Sequence, residues 1–177
     1  MKWRVRKTGI DDVRRLAQIG SATFLETFAG ILDGGAIIDH CERAHSTASY
    51  SDYLAAGAQA WLAEVAPGAA PVGYALLGRP DLPGASQDGS DLELKRIYLL
   101  SKYQGEGIGA ALMGEAISEA RKAGARRLWL GVYADNERAQ TFYRKLGFSD
   151  EGARRFRVGS KEYDDMVFAL SLVSSAS

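Results

Sequence analysis

Nine residues suited to a strand, Leu92–Leu100, lead through Ser101, Lys102 and Tyr103 into Gln104-Gly105-Glu106-Gly107-Ile108-Gly109. Beyond them Ala110, Ala111, Leu112, Met113, Ala116, Ile117 and Ala120 keep helical spacing as far as Gly124. No other feature constrains the chain as much as this strand, glycine loop and helix. Glycines lack a Cβ, so backbone N–H groups can converge on one point, and the helix N-terminus adds its positive end. Such a loop suits a phosphate; a tight connection is the plainer alternative. A P-loop requires Lys and then Ser or Thr after the last glycine, where Ala110-Ala111 stand. A dinucleotide fingerprint, Gly105-x-Gly107-x-x-Ala110 with Asp135 as ribose ligand, requires the strand to run straight into the first glycine. Here Ser101 to Gln104 intervene, and too little chain is left for both mononucleotide halves.

The rest of the chain alternates strands and helices. Lys2 to Arg6 alternates charged and bulky residues as a half-buried strand does, and Asp11-Asp12 open a helix carrying Val13, Leu16, Ala17 and Ile19. Phe24, Phe28 and Ile31 share one helix face. Tyr50–Ala60 is predicted as a helix, and Trp61–Val65 as a strand that turns at Pro67-Gly68 and returns over Pro71–Leu77. Pro80 to Gly89 is loop by composition. Between Pro80 and Leu94 the only charged residues are Asp81, Asp88, Asp91 and Glu93, a solvated acidic stretch or one that attracts a cation. Leu128–Tyr133 is a strand, Asp135-Asn136 a turn and cap, and Glu137–Leu146 a helix closed by Gly147. Phe148, Phe156–Val158 and Met166–Leu172 complete the sheet. This alternation predicts a three-layer α/β domain, single over residues 1–173, with a small frayed tail at 174–177.

Composition excludes several classes. The 177 residues are 46% hydrophobic and 25% charged, and 22 Lys and Arg balance 22 Asp and Glu. Zero net charge argues against bulk nucleic-acid binding, which draws on a basic excess. The N-terminal MKWRVRKTGIDD has no apolar core, and no run approaches the ~18 apolar residues of a membrane span. The expectation is a soluble cytoplasmic domain with neither nucleic acid nor membrane as partner. With Cys41 alone, no intrachain disulfide forms. His40-Cys41-x3-His45 has the wrong distribution for zinc, whose ligands come from two separated turns, so no metal is expected and the segment reads as a polar helix face. Cys41 itself reads as a small hydrophobe rather than a nucleophile.

The run Gln104-Gly105-Glu106-Gly107-Ile108-Gly109 resembles the Q/R-x-x-G-x-G/A loop of the GNAT superfamily of N-acetyltransferases. Asn136-x-x-Ala139-x-x-x-Tyr143-x-x-x-Gly147-Phe148 resembles that family's second signature, and the sharp part of the likeness spans Leu92 to Phe148. The resemblance implies a GNAT-like acyl-CoA N-acyltransferase fold. In it a central mixed, mostly antiparallel sheet splays between the fourth and fifth strands, here Leu92–Leu100 and Leu128–Tyr133, with helices on both faces. It also implies acetyl-CoA as cosubstrate and no metal. The pyrophosphate would rest on the amides of Gln104, Gly105, Glu106, Gly107, Ile108, Gly109 and Ala110, and the pantetheine arm would pair like an extra strand with Ile97, Tyr98 and Leu99. An arm with amide groups can satisfy a strand edge left unpaired. Gln104 would brace the loop, and Asn136 would contact the arm or hold the turn.

Acyl transfer to an amine faces one obstacle: an alkylammonium of pKa ~10.4 is neutral in only about one part in a thousand near pH 7. A general base answers it. The resemblance points to Glu93 on the strand before the loop, where Leu92 and Leu94 would raise its pKa by desolvation; the alternative is a glutamate merely paired with Lys95 or Arg96. By the same likeness Tyr143 is the general acid for the departing thiolate, its phenol (~10) lying near a thiol (~8.5) in pKa; the alternative is that it packs helix on sheet. A backbone N–H among Ile97 to Leu99 would hold the oxyanion. Transfer would be direct, with no acyl-enzyme.

Acceptor sites in this superfamily come mainly from the first helices and the last hairpin. Here those elements offer Phe24, Phe28, Tyr50, Tyr53, Phe156 and Tyr163; Phe24, Phe28, Glu93 and Tyr163 are the acceptor-binding set, with core packing the alternative for the two phenylalanines. Thr23-Phe24-x-x-Thr27-Phe28, Leu92-Glu93-Leu94-x-Arg96-Ile97-Tyr98 and Trp129-Leu130-Gly131-Val132 look like the polyamine branch, whose polycations would suit the acidic loop. The chain departs from that branch at Tyr163-Asp164-Asp165, where Gln-Thr-Asp is usual. A small-molecule amine is therefore the expected acceptor. An amino acid, a peptide or protein amine, or an antibiotic amine stays open beside the polyamine, as does a non-catalytic acyl-CoA-binding module. Exposed edges in the C-terminal hairpin predict a homodimer.

Overall fold

The computed structural model describes residues 2–173; the tail expected to fray lies outside them. In chain order the elements are β1 (Trp3–Lys7), α1 (Val13–Phe28), α2 (Gly34–Ala44), α3 (Thr47–Ala55), β2 (Gln59–Val65), β3 (Ala70–Gly78), β4 (Asp91–Leu99), α4 (Ile108–Lys122), β5 (Arg127–Tyr133), α5 (Glu137–Lys145), β6 (Ser149–Val158) and β7 (Lys161–Ser171). The strand order is β1-β2-β3-β4-β5-β7-β6. The pairs β1–β2, β2–β3, β5–β7 and β6–β7 are antiparallel, and β4–β5 is parallel. By its contacts the chain falls into two units, one of the residues up to Leu77 with Arg96–Ala116, the other of Gly78–Lys95 with the residues from Ile117.

In the first unit, burial of Leu16, Ile19, Tyr50, Leu62, Tyr74 and Leu76 builds a core that joins α1 and α3 to β2 and β3. Each such side chain removed from water contributes about 1.5–3 kcal/mol. Glu64 interrupts the apolar run of β2, and the register explains how it is tolerated. Arg4 lies directly opposite it and Arg6 two residues on, on the same face. Both guanidiniums and that of Arg15 reach its carboxylate at 2.9–3.0 Å. In the second unit Leu82, Trp129, Val167 and Ala169 pack together beneath the loop before β4. Asp91 accepts the Trp129 indole N–H and the Ser86 amide, both at 2.9 Å, so the loop's acidity is partly internal wiring.

Several boundaries move. The face predicted as Phe24, Phe28 and Ile31 belongs to α1 only as far as Phe28: Ala29 leaves helical geometry, Gly30 takes φ +83°, and Ile31 is left exposed. The helix expected over Tyr50–Ala60 starts earlier, where the Ser46 hydroxyl accepts the Ser49 amide, and ends before Gly57 at φ +90°. Helix α2 holds His40 and Cys41 of the segment read as a helix face, but its start at Gly34 went unpredicted; Asp33 caps it by accepting the Ala36 amide at 3.0 Å. His40 and His45 do not form a polar face. The His40 ring stacks on Phe24 at 4.2 Å, and His45, 4% exposed, shares a 2.9 Å hydrogen bond with the Tyr50 hydroxyl.

Candidate active site

The glycine loop lies in the first unit. Tyr98 and Leu99 end β4, Tyr98 stacking on Tyr74 at 6.1 Å, and the Leu100 amide donates to the Val72 carbonyl at 2.9 Å. Glu26 of α1 then pins the chain, its carboxylate accepting both the Ser101 amide and the Ser101 hydroxyl at 2.9 Å. The Gln104 side-chain amide donates back to the Leu99 carbonyl at 3.2 Å, tying the entry of the loop to the end of β4. Gly105 and Gly107 adopt φ +91° and +81°, a region L side chains avoid. Gln104, Gly105, Glu106, Gly107 and Ala110 are exposed, and Ile108, wholly buried, anchors the start of α4. The first bond of i→i−4 type there is from the Ala111 amide to the Gly107 carbonyl, at 3.0 Å. The amides of Ile108, Gly109 and Ala110 thus head the helix, and a Cβ built on Gly105 or Gly109 meets nothing within 4 Å. This exposed row of amides with the positive end of α4 behind it has the chemistry of a diphosphate seat.

Glu93 lies in the second unit, on the parallel stretch of β4 and β5 that runs from Asp91↔Arg127 to Glu93↔Trp129. It is 3% exposed. Its carboxylate accepts the Asp81 amide at 2.8 Å and the Lys95 ammonium at 3.3 Å. Burial pushes its pKa up, and the Asp81 amide and Lys95 oppose that rise without cancelling it. Lys95 also reaches Asp81 at 3.4 Å, and Arg154 joins Asp81 at 3.6 Å to Asp165 at 3.3 Å. Of the two partners expected for Glu93, Lys95 is the one it has. Period-2 alternation decides this, since residue 95 shares its face and residue 96 does not.

Helix α5 carries the second signature. The Asn136 side-chain oxygen accepts the Ala139 amide at 3.1 Å and caps the helix, so the turn-holding alternative for this residue is realised. Tyr143 is buried beside Phe142, Phe148 and Phe168. Tyr163 on β7 stands opposite Phe156 and meets the Tyr133 ring edge-on at 6.2 Å. The first unit therefore gathers Ile97, Tyr98, Leu99, the loop residues from Gln104 to Ala110, Phe24 and Phe28; the second gathers Glu93, Asn136, Tyr143 and Tyr163. Phe24 and Phe28 are both buried, 4.5 Å apart. Sequence reading passed over Glu26, and it left Lys95 and Arg96 both open as partners of Glu93. For the last two the signal was there in the alternation of β4. Among the described residues no group of three or more His, Cys, Asp or Glu is placed to hold a metal, and Cys41 is half-buried with its thiol pKa raised by burial.

These features define a class, an α/β fold with an exposed row of loop amides at the head of α4 and a buried carboxylate on the strand before it. Residues 34–148 match the model of the acetyltransferase (GNAT) family. An uncharacterized N-acetyltransferase of Mycobacterium tuberculosis is 36% identical over 162 residues, covering 92% of this chain and 99% of the relative. The chain belongs to the GNAT family of acetyltransferases. Among solved structures, the PaiA N-acetyltransferase of Thermoplasma acidophilum, in complex with coenzyme A, aligns with a TM-score of 0.72 at 20% identity, covering 97% and 99% of the two chains. YncA of Salmonella typhimurium, with its cofactor acetyl-CoA, aligns with a TM-score of 0.70 at 22% identity, covering 100% and 98%. At those identities they establish the acyl-CoA N-acyltransferase fold.

Proposed function

We propose that the protein moves the acetyl group of acetyl-CoA directly to a primary amine of a small molecule, with Glu93 as general base and Tyr143 as general acid. Acetyl-CoA supplies an activated thioester. The amides from Gln104 to Ala110 hold its pyrophosphate, Ile97, Tyr98 and Leu99 offer strand-edge groups to its amide-bearing arm, and one amide of that stretch donates to the developing oxyanion. Asn136 keeps α5, and with it Tyr143, in place. Glu93 takes the proton of the bound ammonium, and Tyr143 returns a proton to the leaving sulfur. Tyr163 contributes aromatic surface to the acceptor side, whereas Phe24 and Phe28, both buried, pack in the core as their alternative reading had it.

The observation that carries this reading is Glu93 itself, a carboxylate almost wholly removed from water whose pKa is raised by that burial. A base tuned upward toward neutral pH removes an ammonium proton more readily than an ordinary surface glutamate. The polyamine alternative loses support from the same region. Asp81 faces Lys95 and Arg154, and Asp91 is buried against Trp129 and Ser86, so these two carboxylates are committed within the protein and Asp88 is the exposed one left to a polycation. A homodimer through the outer edge of β6 completes the proposal. The test is thiol release from acetyl-CoA across a panel of amines. Saturable release with one amine class, reduced about 10²–10⁴-fold in Glu93→Gln, supports the assignment; full activity in that variant removes Glu93 from it.

A further inference from the structure

Alternation along β4 puts Leu94, Arg96 and Tyr98 on the face opposite Glu93 and Lys95. Arg96 belongs to the first unit, where its guanidinium carbon lies 5.3 Å from the ring centroid of Tyr50 and 5.3 Å from that of Tyr53, both on α3. Behind them Tyr50 meets Tyr74 edge-on at 6.0 Å. Ring faces attract a cation, yet a guanidinium donates its N–H groups in its own plane, where a ring face is no acceptor. Nη1 of Arg96 is buried with no hydrogen-bond partner. The Tyr50 hydroxyl, bonded to His45 Nδ1 at 2.9 Å, also lies within the reach of the Arg96 guanidinium, and Nη1 is the atom left without an acceptor. Among the described residues no carboxylate pairs with Arg96, whereas Arg4, Arg6 and Arg15 crowd onto Glu64. Burying a charged donor without an acceptor is unfavourable unless something else supplies the acceptor. His40 and His45, both held neutral by burial, add no second positive charge to the box. A single fixed guanidinium matches a planar group of one negative charge, which it can grip with two parallel N–H bonds.

We propose that Arg96, clasped between Tyr50 and Tyr53, binds a carboxylate carried by the amine acceptor, so that the substrate is of the amino-acid type rather than a polycation. Arg96 immediately precedes Ile97, where the strand edge proposed for the cosubstrate begins. The inference rests on the acetyl transfer read above and not on Glu93 as its base, since Glu93 lies on the other face of β4, and its test separates the two. Thiol release is measured with matched acceptors, an amino acid against its primary amide and lysine against cadaverine, for the full chain and for Arg96→Met and Arg96→Lys. Methionine fills the aromatic slot without charge, and lysine keeps the charge without the fork. The expected result is a preference of at least tenfold in kcat/KM for the carboxylated member of each pair, lost in Arg96→Met through KM and partly retained in Arg96→Lys. Acetylation of the amide or cadaverine as efficient as that of the carboxylated partner overturns the carboxylate assignment and leaves acetyl transfer standing; so does a preference that survives in Arg96→Met. Calorimetric titration with N-acetyl amino acids and their amides gives a readout independent of turnover. Binding of the acid form alone, abolished in Arg96→Met, supports the subsite even if no acceptor is acetylated, and equal binding of both forms refutes it.

Discussion

Gly20 lies inside α1, where helix propensity alone favours alanine by about 1 kcal/mol. A Cβ placed there meets the Tyr50 hydroxyl oxygen, with the His45 Nδ1 at 2.5 Å. Neither neighbour has room to retreat. Tyr50 is wholly buried on a rigid ring, His45 is 4% exposed, and the two are tied to each other at 2.9 Å. Overpacking costs about 1–3 kcal/mol, and parting a buried hydrogen bond adds about 1 kcal/mol. Set against the propensity gain, Gly20→Ala should destabilise by about 1–3 kcal/mol, a fall in Tm of roughly 3–10 °C for a chain of this size. Thermal unfolding followed by circular dichroism reads this directly. Removing the hydroxyl in Gly20→Ala/Tyr50→Phe should cost less than the two single changes added together, because the second substitution clears the first clash. A Gly20→Ala protein that melts at or above the wild-type temperature refutes the close-packing argument, and with it the fixed placement of the Tyr50 ring against Arg96.

Glu64→Leu should cost about 1–3 kcal/mol in denaturant unfolding, since the arginines it leaves unpaired are 30–64% exposed and Arg6 keeps Asp12, whereas Arg4→Ala should cost under about 1 kcal/mol. Stability should fall as pH drops from 6.5, since burial lowers the pKa of His45 to about 3 and of His40 to about 4, and the unfolded chain takes up protons that the native one refuses. Each histidine adds a slope of at most about 1.4 kcal/mol per pH unit between its native value and 6.5, and His45→Gln should flatten the curve there. Glu93 and Asp165, raised by burial, act in the opposite sense, their contribution being lost as pH rises through their native values. Sedimentation at micromolar concentration should show a dimer; a monomer throughout removes the β6 edge as an interface.

The parts of the site written in local sequence were legible from it. Gly105, Gly107 and Gly109 between a strand and a helix, and Asn136 seven residues before Tyr143, announced the loop and the cap. Residues whose role comes from distant neighbours were not. Asp81 and Asp91 read as solvent-facing charge because Lys95, Arg154 and Trp129 reach them only in the folded chain. His40 and His45 read as polar because nothing local reveals that Gly20, by lacking a side chain, makes room for an aromatic cluster. The start of α2 was lost because Gly34 and Gly35 are poor helix formers, and the Asp33 cap was its one local sign. The pairing of Glu93 with Lys95 rather than Arg96 was available from alternation alone, and overlooking it also concealed Arg96.

The most direct measurement is the pH dependence of kcat/KM for acetyl-CoA-dependent thiol release with the best amine, in wild type, Glu93→Gln and Tyr143→Phe. Wild type should lose activity as pH falls through an ionisation above the ordinary glutamate value of about 4.3, in the direction burial dictates. Glu93→Gln should lose that limb together with at least two orders of magnitude in rate, and Tyr143→Phe should slow turnover while keeping the limb. An unchanged acid limb in Glu93→Gln would contradict the assignment of the base and leave the carboxylate a structural partner of Lys95.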